Sequence, residues 1–420
     1  MILAFNIFIC LVAVIATIYL FEKDLKLSLL SFLIIVQYIW MFSSISVIET
    51  GIYINEQVRN GYFTYANVVL LLFYLSTLIA LVFYKKMFGV FFKKIKPVKF
   101  KIKPLKDKNF AILLIFFILF LAYTNLLSSP IPLLSDEVNK FNFWEHAKFP
   151  FLRPMIGNVI GFIGFGAALL FFTNKRLSVF FMSFYILYLV LIGQKFSGFY
   201  IAIYGILLAG YLASNVKPKF KIKWIFNKYV IGIVVVLFAF VLNKYTAKNP
   251  FKYLGMTPIE SVFYRAFGLQ GHVFWGVNER YVFMNTANTW NILELWKGMH
   301  HLMFEFWPIK MKHFYETTQA GVSWTNAYPA ILLRIFPLPL ALIINVLLLS
   351  VVGLFQALLD KFIQQKSYVL SIVFYQLLIW VSFAYTMSFF NKLIIPFFIL
   401  TLYVIFNYIK FLTRKNGKKV

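Results

Sequence analysis

An all-α, polytopic membrane protein is what this sequence predicts, and three observations predict it. The 420 residues are 61% hydrophobic and 20% aromatic, with a mean hydropathy of +0.80, far from the mix of a soluble globular domain. The apolar residues fall in runs of roughly 16–22, the length a bilayer asks of a helix. The bases collect in alternate connections between those runs, the pattern that membrane insertion leaves in a chain.

Taken in order, the runs lie near 2–20, 28–48, 66–84, 110–126, 155–173 and 177–193, then 197–214, 229–243, 338–358, 368–386 and 393–411, eleven in all. The first has no basic residue before it, and its first charges, Glu22 and Lys23, follow it, so it reads as a retained helix rather than a cleaved signal. It carries the single cysteine, Cys10, which excludes an intrachain disulfide and a cysteine metal cage. The run 229–243 is short, and 177–193 and 197–214 are separated only by the turn around Gly193-Gln-Lys-Phe-Ser-Gly198. Three regions follow: residues 1–243 with an outer connection at 127–154, a long outer connection at 244–337, and residues 338–420 with a basic tail.

Charge orients the chain. One set of alternate connections holds 26 of the 41 bases and only four of the 14 acids, a local charge of +22, and the other carries +5 of the total of +27. The first set is expected in the cytoplasm, which puts the N-terminus outside and the C-terminus inside. In a soluble protein such a charge would suggest a nucleic-acid partner. Here the lysine-rich stretch 85–108 reads instead as a connector resting on anionic lipid headgroups, and no nucleic acid is expected.

The outer connections 49–65, 127–154 and 244–337 hold all five histidines, ten of the 14 acids and six of the nine tryptophans. Chemistry and recognition of polar substrates both need ionisable groups, so their gathering on one face points to a site. Trp-rich amphipathic pieces such as 290–307 suit a helix lying flat on the membrane. No nucleotide-binding loop, nucleophile elbow or zincin motif occurs, and His300-His301 are adjacent rather than spaced for one helical face, so no metal site is expected.

The stretch Thr257–Gly276 gathers the polar residues that a lipid-facing helix has no reason to carry. Thr257 and Glu260 form a capping box with Pro258 at the first helical position, so a helix is expected to start there. If it continued past Gly268 and Gly271, Arg265, His272 and Glu279 would recur at heptad spacing near one face. Arg265, with a donor fork suited to phosphate oxygens, is the leading binding residue, and its plain alternative is an ion pair with Glu260 or Glu279. Lys195, at an outer membrane edge between glycines, either snorkels or faces a polar cavity. Arg153 and Arg334 occupy similar edges, where an interface anchor is the simpler role.

On these residues the chain resembles the Wzy-type O-antigen polymerases, polytopic glycosyltransferases of the bacterial inner membrane. The resemblance rests on the eleven-span plan with a dominant late outer loop, on Gly193-Gln-Lys-Phe-Ser-Gly198, and on Arg265 followed after ten residues by Gly276, an R-x10-G pattern. It implies a GT-C-like architecture, joining of undecaprenyl-diphosphate-linked repeat units at the periplasmic face with release of polyprenyl diphosphate, and no cofactor or metal. A chain-length-regulating membrane protein is an implied partner. Arg265, Lys195, Gln270, Arg153 and Arg280 would then meet the substrate and its diphosphate. His272, Glu279, or Asp136 and Glu137 of the 127–154 connection would take the acceptor proton. An O-antigen ligase is the closest alternative. A lipid-linked oligosaccharide flippase is the alternative from another class, and it predicts charges inside many spans, which are nearly absent here.

Overall fold

The computed structural model describes residues 1–54, 57–94, 104–135, 138, 142–153, 156, 161–171, 173–194, 196–214, 255–306 and 326–416, with isolated positions between 232 and 252. Helices dominate it. Five of them are long and apolar enough to cross a bilayer, Ile2–Lys23, Ala66–Phe92, Asp107–Leu127, Leu338–Gln364 and Tyr368–Met387, and shorter apolar helices occupy Phe32–Ile48, Gly198–Ala213 and Phe390–Phe406. The expected all-α membrane class is therefore the observed one. The expected span at 229–243 lies largely outside the described residues.

The chain forms two compact units. The first comprises Met1–Tyr84, Lys219–Val352 and Val381–Phe397, and the second Lys85–Pro218, Gly353–Trp380 and Phe398–Val420.

In the first unit, α1 (Ile2–Lys23) buries only Asn6, Ile9, Ala13 and Leu20 and leaves side chains such as Leu11, Ile15 and Tyr19 exposed. Exposed apolar side chains on a helix of this length are lipid-facing surface. Asp24 ends α1 and caps α2 (Leu25–Leu30), its Oδ1 accepting from Leu27 N at 3.0 Å. The run expected at 28–48 is not one helix: the chain breaks at Ser31 before α3 (Phe32–Ile48). Helix α3 is buried along most of its length, which its apolar circumference allows. A two-residue hairpin, β1 (Tyr53–Ile54) with β2 (Arg59–Asn60), pairs Tyr53 with Asn60 and leads into α4 (Ala66–Lys94). Gly61 lies so close to the end of α3 that a Cβ there would stand 2.1 Å from the Ile48 carbonyl oxygen, so no larger residue fits.

In the second unit, α5 (Pro104–Leu127) is followed by α6 (Phe143–His146), α7 (Phe162–Leu170), α8 (Lys175–Leu191) and α9 (Phe196–Ala213). Within the expected span 155–173 the continuous described helix is Phe162–Leu170, and it is buried throughout. Helices α7 and α9 cross on small residues: a Cβ at Gly164 would meet the Ala202 carbonyl oxygen at 3.1 Å, and one at Gly205 would meet the Tyr375 hydroxyl at 2.6 Å. The Phe165 and Tyr375 rings stack there at 4.0 Å.

Candidate functional site

The first unit continues through α10 (Pro258–Phe263), a π-helical turn at Tyr264–Gly268, α11 (His272–Asn278) and a second π-helical turn at Glu279–Phe283. The capping box forms as expected: Thr257 Oγ1 accepts from Glu260 N at 3.3 Å, and Thr257 N donates to Glu260 Oε2 at 2.7 Å. The chain then interrupts at Leu269–Gly271, so Arg265, His272 and Glu279 do not line one face of a continuous helix. The interruption separates their fates. Arg265 is exposed, Gln270 half-buried, and the nine residues Gly271–Glu279 are all buried.

Close approach to α3 explains the interruption. Gly271 N donates to Ser44 Oγ at 2.8 Å, and a Cβ on Gly271 would lie 2.9 Å from Ile45 Cγ1 and 3.0 Å from Ser44 Cβ. Trp40 Nε1 donates to the Ala266 carbonyl at 2.6 Å, a carbonyl in the π-helical turn. Gln57 Nε2 donates to the His272 carbonyl at 2.8 Å, and Gly276 leaves room for Gln57 and the Phe306 ring. The glycine of the R-x10-G pattern thus has a packing reason. Asn278 Nδ2 donates to the Thr64 carbonyl at 3.0 Å, and Asn326 Nδ2 to the Gln270 carbonyl at 3.1 Å. These five hydrogen bonds to residues outside the segment fix its backbone or its buried amide.

Glu279 is 2% exposed and does not pair with Arg265. It is held by Arg59 of β2, whose Nη1 donates to Oε1 at 2.8 Å and whose Nη2 pairs with Oε2, and by the Tyr62 hydroxyl at 2.5 Å. The Arg59 guanidinium stands over the Trp275 ring at 5.1 Å, and Trp275 Nε1 donates to the Tyr62 carbonyl at 3.1 Å. The other expected ion partner of Arg265, Glu260, is occupied by the capping box. Among the described residues Arg265 therefore presents its guanidinium without a carboxylate partner.

Arg280 pairs with Glu305 of α12 (Glu294–Phe306), a helix kinked at Gly298 with φ +71°. Glu305 also pairs with Arg334 of α13 (Ala330–Ile335), and Arg334 Nε donates to Glu294 Oε2 at 2.7 Å. His301 Nε2 lies 3.8 Å from Glu294 Oε1. Charges of opposite sign alternate along Arg280, Glu305, Arg334 and Glu294, joining the turn after α11 to α12 and α13, and His301, its pKa lowered by burial and by the neighbouring Arg334, ends the chain as a neutral ring.

A model of a family of unknown function, DUF6418, matches residues 293–405. No characterised protein and no solved structure matches the chain. The matched stretch takes in Glu294, His301, Glu305 and Arg334 of the ion network, while the 257–283 segment precedes it.

The remaining candidates lie elsewhere. Arg153 is exposed in the second unit, at the end of the 3₁₀ turn Pro150–Leu152, and Lys195, Asp136 and Glu137 fall outside the described residues. Among the described residues no three His, Cys, Asp or Glu side chains are grouped to hold a metal. Arg59, Tyr62, Gln57, Ser44 and Trp40 were not singled out from the sequence. The one available signal was that Arg59 is the sole base of the 49–65 connection.

His272 is 1% exposed, its Nδ1–H donating to the Leu269 carbonyl at 2.7 Å. Burial pushes its pKa down to about 4, against the smaller opposing effect of that hydrogen bond. The imidazole is therefore neutral at pH 7. Because the folded value lies below the unfolded one of about 6.5, the unfolded chain binds the proton first on acidification. The stabilisation is complete above pH 6.5 and lost as pH falls to 4, at about 3 kcal/mol over the window. Thermal unfolding in detergent should show wild-type protein losing about that much more stability from pH 7 to pH 4 than His272→Asn. Parallel losses would place the acid sensitivity at other groups.

Proposed function

We propose that this chain is a polyprenyl-diphosphate-dependent glycosyltransferase of the Wzy polymerase type, with eleven spans, an outer N-terminus and a cytoplasmic C-terminus, acting at the outer face of a bacterial inner membrane. The observation that carries the reading is Arg265: an exposed guanidinium without a carboxylate partner among the described residues, on a segment whose backbone is pinned to α3 and to the 49–65 connection. A cation held in place before substrate arrives stabilises a departing diphosphate without reorganising, which is the largest electrostatic contribution available to such a reaction. The choice of base supports the same reading. Five of the chain's seven arginines, Arg59, Arg153, Arg265, Arg280 and Arg334, fall in the outer connections, whereas the cytoplasmic connections use lysine almost throughout. Guanidinium matches phosphate oxygens with two parallel donors, and an ammonium on the inner face need only meet headgroups as a point charge.

In this reading Arg265, with Gln270 donating to its carbonyl at 3.4 Å, receives the diphosphate, while Arg280 is engaged by Glu305. The pair Arg59–Glu279 sets the 257–283 segment in place, and Glu279, tied to Arg59 and Tyr62, serves as a base only if that tie opens on substrate binding. His272, neutral and enclosed, suits a positioning role better than proton abstraction. Asp136 and Glu137 remain the candidate bases from the other connection. The partners are undecaprenyl-diphosphate-linked repeat units, anionic lipid under residues 85–108, and a chain-length-regulating membrane protein.

The test is the surface polysaccharide of a strain lacking the protein. Loss of a polymerase leaves lipid A core bearing one repeat unit. Loss of a ligase leaves bare core, and an unchanged polymer ladder removes both activities.

A further inference from the structure

Between the second π-helical turn and the start of α12, a run of apolar side chains is exposed and not covered by the described residues. Phe283, Met284, Trp290, Ile292, Leu293 and Trp296 are all exposed, Leu293 to 70% and Trp290 to 62%. Helix α12 itself is sided: Leu295, Met299 and Leu302 are buried beside Glu294, while Trp296 and Lys297 face outward. In water a patch of this kind is an interaction surface.

The backbone places this patch relative to the bilayer. Asn288 Nδ2 donates to the Leu333 carbonyl at 2.7 Å, Thr289 N to the Arg334 carbonyl at 3.1 Å, and Trp290 N to the Ile335 carbonyl at 3.1 Å. The Trp290 ring meets Phe336 edge-on at 5.9 Å. Residues 288–290 are thereby fixed beside 333–336, and α14 (Leu338–Gln364) begins three residues after Ile335. Three residues of chain reach at most about 10 Å. Helix α14 has 27 residues, and exposes Ile343 and Leu347 within its first turns. At 1.5 Å per residue it is about 40 Å long, which fills the hydrocarbon core and reaches into both headgroup layers. The exposed run therefore sits level with the headgroups, close to the end where α14 enters the membrane.

We propose that residues 283–296 form a lipid-contacting ledge, whose Phe283, Met284, Trp290, Ile292, Leu293 and Trp296 side chains enter the headgroup–acyl boundary, with bilayer lipid as the occupant. Composition favours lipid over a protein partner. Trp290 stands in the middle of the run and Trp296 at its end, asparagines and threonines interleave with the apolar residues, and Lys297 follows directly, placed to reach lipid phosphates. The ledge holds whatever reaction the protein performs. It also sets the depth of the neighbouring ion network, since Arg334 shares a backbone hydrogen bond with it.

Spin labels test this on the full chain. Cys10 is the only cysteine, and Cys10→Ser keeps a partner for Ser46 Oγ, now 3.2 Å from the Cys10 sulfur. In that background Ile292→Cys, Leu293→Cys, Trp296→Cys and a control, Gln365→Cys, are labelled and reconstituted into vesicles of phosphatidylethanolamine and phosphatidylglycerol. All four positions are exposed, so folding is not at stake. At 292, 293 and 296 collisions with oxygen should exceed those with a water-soluble nickel chelate, and at 365 the order should reverse. Nickel-dominated relaxation at the three ledge positions would make them water-facing and overturn the proposal. Immobilised spectra shielded from both reagents would overturn it too, by showing that residues 307–325 or a second copy cover the run.

Discussion

Cells carrying Arg265→Ala should make no polymer beyond a single repeat unit, while the protein stays in the membrane at wild-type level. The two halves of that expectation rest on different observations. Arg265 is exposed and has no carboxylate partner among the described residues, and surface substitutions of this kind shift stability by no more than about 0.5 kcal/mol. The backbone that presents it is fixed by Trp40, Ser44 and Gln57, which bond the Ala266 carbonyl, the Gly271 N–H and the His272 carbonyl. Removing a fixed donor that faces developing charge lowers turnover about 10²–10³-fold. Arg265→Lys should recover little if both donors of the fork are used, because an ammonium cannot reproduce that geometry. A wild-type ladder from Arg265→Ala would return this residue to the surface and remove the main support for the proposed reaction.

The largest effect on stability is expected at a residue the sequence reading passed over. Glu49 follows α3, is 1% exposed, and is surrounded by donors: Thr64 N and Thr64 Oγ1 at 2.9 Å, Ala66 N at 3.1 Å, and Asn6 Nδ2 at 2.8 Å. Glu49→Ala strips four donors of their acceptor and leaves a void between α1, α3 and the start of α4. Each unsatisfied buried group costs about 1–3 kcal/mol, so a loss on the order of 4 kcal/mol is expected after relaxation. Glu49→Gln separates charge from hydrogen bonding. Its amide oxygen can keep the three bonds to Thr64 and Ala66, and Asn6, whose own Oδ1 lacks a hydrogen-bond partner, can turn to accept from the new amide nitrogen. The Gln variant should thus lie within about 1 kcal/mol of wild type in detergent unfolding, and equal destabilisation by both variants would show that the negative charge itself is required.

What could be read from the sequence was what is local. The capping box at Thr257, Pro258 and Glu260 involves four consecutive residues, and it formed as written. The long helices around 2–23, 66–94, 338–364 and 368–387 announce themselves by length and apolarity alone. Ser31 did not announce a break, because apolar residues flank it on both sides and periodicity says nothing about where a buried helix stops. The partner of Glu279 was out of reach for a different reason: Arg59 lies 220 residues away, and a single arginine in a 17-residue connection carries no spacing from which to infer contact. The heptad spacing of Arg265, His272 and Glu279 suggested a shared face, but Gly271 fits tightly on Ser44 and Ile45, and this tertiary contact overrides the helical register.

The tethers of the 257–283 segment also order events during synthesis. Ser44, Gln57 and Arg59 emerge early, and their partners Gly271, His272 and Glu279 lie 215–227 residues further along. At about 5–20 residues per second, translation keeps these groups waiting on the order of ten seconds or more. For that interval β2 exposes an uncommitted guanidinium, and α3 exposes a face shaped for a segment that does not yet exist. A nascent chain stopped before residue 257 is thus an open acceptor for any chaperone or translocation factor with an apolar, acidic surface.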